Sequence, residues 1–197
     1  SICLGKGSKA TLWESTVCDS SLKKDFVNQA IDIHLEEGSN LKFENLNVSE
    51  HAKWNFHSLR AMLKRNSNLE STTFSSLKER SCRQVYQVDL QEEGANVSLQ
   101  GGWLSQGSAT HHTHIDIRHL APNCESMQNF KGVLGDASRS SFYGKIYVKD
   151  IAQQTQAYQL NNNLLLSDRA KSEALPNLEI FADDVKASHG ATVGQLD

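Results

Sequence analysis

Two prolines and two methionines are all that 197 residues contain, and no window repeats apolar residues at i, i+3, i+4 and i+7 through the length of a good amphipathic helix. Helix is therefore expected to be a minority. No apolar run approaches the ~20 residues of a membrane span, and the opening "SICLGKGSKA" lacks the charged, apolar, small order of a secretory signal. Neither sign of charge dominates: 20 Lys and Arg against 23 Asp and Glu leave −3, without the basic block that nucleic acid or an anionic membrane needs. These absences argue against both partners and for a soluble protein. The four cysteines, Cys3, Cys18, Cys82 and Cys124, lie far apart with no C-x-x-C spacing. That disfavours a zinc ribbon or a four-cysteine cluster cradle and suits free thiols in a reducing compartment.

What is present is alternation. "AIDIHL" puts Ile31, Ile33 and Leu35 on one side and Asp32 and His34 on the other; "SFYGKIYV" sets Phe142, Ile146 and Val148 against Tyr143, Lys145 and Tyr147. Strand starts placed at Val27, Leu41, Trp54, Leu69, Arg83, Asn96, Thr110 and Ser126 step by 13 to 16 residues. A near-constant step without intervening helices is the mark of stacked coils. Between strands recur "EEGSN" (36–40), "RNSN" (65–68), "EEGAN" (92–96) and "LGDAS" (134–138), whose Gly and Asn tolerate positive φ. The expected fold class is all-β, a parallel β-helix with strands about 14 residues apart, as one domain over residues 1–197. A β-sandwich is the alternative.

The stretch "HHTHIDIRH" (111–119) holds four histidines in nine positions. With Thr113, Ile115 and Ile117 facing the core, His112, His114, Asp116 and Arg118 share the outer face. Residues at i and i+2 are ~6.6 Å apart along a strand, so His112 and His114 can converge on one ion with Asp116 as third ligand. Arg118 beside them would repel that cation. The histidines are otherwise read as outward and edge residues of one coil. In "FADDVKASHG" the adjacent Asp183 and Asp184, if on a strand, point to opposite faces and make a poor acid–base pair. His189 stands among Ala187, Ser188, Gly190 and Ala191, which leave its ring accessible. Asn161 to Asn163 in "NNNLLLSD" read as an asparagine ladder inside the solenoid. No Walker loop, dinucleotide fingerprint, G-x-S-x-G or H-E-x-x-H occurs.

From His111 onward, "HHTHIDIRHLAPNCESMQNFKGVLGDASRSSFYGKIYV", "QQTQAYQLNNNLLLSD" and "LEIFADDVKASHGATVGQLD" resemble the SufB/SufD family of iron–sulfur cluster assembly proteins. The closing "SHGATVG" resembles the SufD branch, and residues 1–110 share only the family's strand pattern. The resemblance implies a right-handed β-helix core whose flanking helical segments lie outside this chain. It implies a scaffold, and not an enzyme, that pairs with a SufB-like protein or a second copy of itself. ATP hydrolysis would belong to a SufC-like partner. The family motif K-C-S-H-G reads "KASHG" here, which carries the interface role to His189 and puts Ala187 where the family has cysteine. Where the SufB branch has its acting cysteine this chain has Asn161, which supplies no thiolate. No firmly bound cofactor is implied, only a transient iron or iron–sulfur cluster touching His189 at the interface. A bacterial cytoplasm or a plastid stroma would be the compartment. Readings from other classes are a metalloenzyme built on His112, His114 and Asp116, and a structural module without chemistry.

Overall fold

A computed structural model describes residues 1–15, 26–47 and 53–195. Among them are fourteen strands: β1 (Ile2–Leu4), β2 (Lys9–Ser15), β3 (Phe26–Leu35), β4 (Asn40–Asn47), β5 (Trp54–Leu63), β6 (Asn68–Lys78), β7 (Ser81–Leu90), β8 (Asn96–Gln106), β9 (Thr110–His119), β10 (Glu125–Leu134), β11 (Arg139–Val148), β12 (Thr155–Leu165), β13 (Lys171–Ile180) and β14 (Val185–Gln195). Odd-numbered strands form one seven-stranded parallel sheet in chain order, and even-numbered strands form a second. The described chain winds into about six turns of a β-solenoid and contains no helix.

Every start placed by alternation falls within two residues of an observed strand. The 14-residue step is half a coil, because successive strands change sheet. A full coil separates hydrogen-bonded partners by 27 residues at Trp54 and Ser81 and by 32 at Arg139 and Lys171.

Strand alternation turns every second side chain inward. On β7 these are Cys82, Gln84, Tyr86, Val88 and Leu90, all buried. A continuous apolar cluster runs from Leu4 through Leu35, Leu63, Leu99 and Ile117 to Phe142. Each fully buried Leu contributes about 2 kcal/mol relative to exposure. The corners after odd strands turn on positive φ: Gly38 at 68°, Asn66 at 53°, Gly94 at 72° and Asn123 at 58°. Their amides bind the next coil, Gly38 donating to the Arg65 carbonyl (2.8 Å) and Asn66 to that of Glu93 (3.1 Å). At the same corners Ser39 and Ser67 hydroxyls donate back to the Glu36 and Lys64 carbonyls, each at 2.7 Å. Three of the repeated turns thus build one stacked edge of the solenoid, while "LGDAS" follows β10 and lies at the other edge.

Three expectations change. His111 and His119 are not outward residues: both have the parity of Ile115 and are 0% exposed. Asp183 and Asp184 lie in the turn before β14, not on a strand. The asparagines form no ladder between coils: Asn163 donates within its own strand to Asn161 (2.7 Å), while Asn161 donates to the Phe130 carbonyl (3.3 Å). Cys3, Cys82 and Cys124 are free thiols, and Cys18 lies outside the described residues.

Candidate functional site

The outer face of β9 carries His112, His114, Asp116 and Arg118 between β7 and β11, as alternation requires. Three of the four are engaged by a neighbouring strand, while Asp116 Oδ1 is buried with no hydrogen-bond partner among the described residues. His112 Nδ1 hydrogen-bonds the Ser141 hydroxyl at 2.6 Å. The His114 ring stacks on Tyr143, centroids 4.7 Å apart and planes 20° apart. Arg118 grips Asp89 through both carboxylate oxygens, its Nε at 2.6 Å. Burial, and then the positive charge of Arg83, push the pKa of both His112 and His114 down. Among the described residues no three His, Cys, Asp or Glu side chains come together as a metal-ligand set. His112, His114 and Asp116 share a face but do not converge as a three-ligand set in this geometry.

His189 sits elsewhere, on β14, the outermost described strand of the even sheet. It is exposed, between half-buried Ala187 and exposed Ala191, and its register partner on β12 is Gln159. On the outward rows beside it, Met127, Tyr158, Leu160, Ser188 and Gly190 join the His189 ring in lining one recess of about 380 Å³. Gly190 narrows the wall without filling it, since a Cβ there would meet Leu160 Cδ1 at 3.2 Å. Asn161 is buried one strand away, paired with Ala191. Asn161 and Ala187 put no sulfur near His189. Burial pushes the Cys82 thiol up to about 12, and also raises that of Cys124. Cys3 is exposed on β1, at the far end of the odd sheet from β13.

Sequence reasoning passed over Gln128 and Gln159, which lie behind His189 in the same inward column. The signal was available in the parity of "TQAYQLNNN": Ala157, Gln159, Asn161 and Asn163 are all buried. It is easily missed, because half of that inward row is amide.

All 197 residues match the family model described as SUF system FeS cluster assembly, SufBD core domain. The chain belongs to the SufBD family. Among curated relatives of this SufBD chain is the iron–sulfur cluster assembly protein SufD of Escherichia coli, 44% identical over 85 residues, covering 43% of this chain and 20% of the relative. The chloroplastic protein ABCI7 of Arabidopsis thaliana is 42% identical over 87 residues, 44% of this chain and 18% of the relative. SufD of Plasmodium falciparum aligns over 203 positions at 27% identity, spanning 96% of this chain and 13% of the relative. The SufBD chain falls on the SufD branch. It spans a fifth or less of the length of these three relatives.

Proposed function

We propose that this chain is the β-helix of a SufD-like scaffold subunit that pairs with a SufB-like protein and presents His189 where an iron–sulfur cluster is assembled. The observation that carries the reading is the exposure of His189 on the outermost described strand of a chain that matches the SufBD core throughout. The cluster is cargo. A neutral imidazole is a borderline nitrogen ligand suited to iron. Among the described residues nothing near His189 supplies a thiolate, so the sulfur ligands would come from the partner. The subunit is not itself an enzyme, and a SufC-like ATPase drives the cycle. The relatives favour a bacterial cytoplasm or a plastid stroma as its compartment.

Co-expression of the full-length protein with SufB-like and SufC-like partners tests this. His189→Ala should leave the three-protein complex intact by size and abolish the cluster absorbance it accumulates. Undiminished cluster yield would refute the role of His189, and failure of the parent protein to join the complex would refute the pairing.

A further inference from the structure

Gln128 on β10, Gln159 on β12 and His189 on β14 follow one another in register along one inward column of the even sheet. The two glutamines are 1% and 3% exposed. Gln159 Nε2 donates to Gln128 Oε1 at 2.9 Å, which commits the donor end of the Gln159 amide toward β10. Its other end, Oε1, is buried without a hydrogen-bond partner among the described residues. The amide has room to lie this way because the facing strand β11 carries Gly144, where a Cβ would come within 2.1 Å of Gln159 Nε2. A buried carbonyl oxygen without a partner is costly, and such groups in native proteins normally find a donor. On β14 the inward positions flanking His189 are Ala187 and Ala191, which have no polar side-chain atoms. His189 is the one inward side chain beside Gln159 on that strand able to donate.

We infer that Gln159 is a positioning residue for His189, its Oε1 accepting the N–H of the imidazole. The inference rests on the reading of His189 as the interface histidine. An amide oxygen only accepts, so it selects the ring nitrogen that bears hydrogen and leaves the other nitrogen with a lone pair to offer to iron. Partners of this kind fix the tautomer and orientation of ligating histidines, and losing one typically costs about 10–100-fold in metal affinity or activity. Gln128 acts one coil deeper, holding the amide with its oxygen toward β14.

The test uses the full-length protein in complex with its SufB-like and SufC-like partners, labelled with ¹⁵N at histidine. The signals that vanish in His189→Ala should show one protonated and one bare ring nitrogen in the parent complex. Gln159→Met should mix the tautomers and lower cluster formation about 10–100-fold. Gln159→Glu, which keeps an acceptor, should restore a single tautomer and most of the yield. A tautomer pattern unchanged by Gln159→Met would overturn the inference. Should that variant fail to fold by circular dichroism, Gln128→Leu frees the Gln159 amide to turn; mixed tautomers are again expected, and an unchanged pattern again overturns it. Normal cluster yield from His189→Ala with the tautomer response intact would sink the proposed function and leave the Gln159 contact standing.

Discussion

The indole of Trp103 lies flat against the imidazole of His111, ring centroids 4.4 Å apart and planes 14° apart, across the corner from β8 to β9. Trp103 is 2% exposed and His111 0%. Burial first, and then the neighbouring charge of His112, push the His111 pKa down to about 3, and burial takes His119 to about 4. Both are depressed below the ordinary value of about 6.5, so the unfolded chain binds more protons in between and stability rises with pH there. Their contribution is complete above pH ~6.5 and is lost as pH falls toward the folded values. Each histidine should remove about 2 kcal/mol between pH 6.5 and 5. Urea unfolding at the two pH values measures the loss, and His111→Phe, which keeps the stack, should flatten the slope. An equal slope in that variant would contradict the assignment.

Gly132 on β10 makes room for side chains from the strands on either side. A Cβ there would meet Trp103 Nε1 at 2.2 Å and Asn163 Oδ1 at 2.3 Å. Gly132→Ala therefore overpacks a closed interior and should cost about 1–3 kcal/mol, read as a lower denaturant midpoint.

The stacked corners allow a comparison of two glycines with the same backbone. Gly38 and Gly94 both have φ near +70°, but a Cβ at Gly94 would meet Asn66 Oδ1 at 2.2 Å, whereas at Gly38 the nearest atoms are those of Gly7 at 4.0 Å. Gly38→Ala should cost about 1 kcal/mol from the left-handed backbone alone. Gly94→Ala should cost measurably more by the same unfolding assay, and equal losses would show that Asn66 yields freely.

Much of the fold was legible because a period of two and a repeated corner are local features. The strand at Trp54 and the turn at "EEGAN" can be placed without knowing what they pack against. The inward polar row was harder to read. Gln84, His111, Gln128, Gln159 and Asn161 are buried by parity, yet their chemistry resembles that of surface residues. Their hydrogen bonds run to strands about 30 residues away, as from Gln159 to Gln128, or across the interior, as from Gln84 to Thr73 at 3.0 Å. "HHTHIDIRH" illustrates the limit. Its outward half was read as it stands, while His111 and His119 took their meaning from Trp103 and Ser126, which only the winding of the chain brings beside them. The accessibility of the His189 ring was legible in the small residues around it, and the buried amides behind it were not.

For the outer face of β9, the hydrogen bond between His112 and Ser141 and the stack of His114 on Tyr143 predict that neither ring holds a metal. Elemental analysis of the purified protein should give the same metal content before and after the double substitution His112→Ala, His114→Ala. A stoichiometric metal that disappears with the two histidines would establish the rival reading.

The most direct test of the central claim is the cluster content of the complex formed by the full-length protein with SufB-like and SufC-like partners, compared between His189 and His189→Ala. The predicted result is an intact complex and a folded β-helix with the cluster absorbance lost. A complex that accumulates its cluster equally well without the His189 imidazole would contradict it.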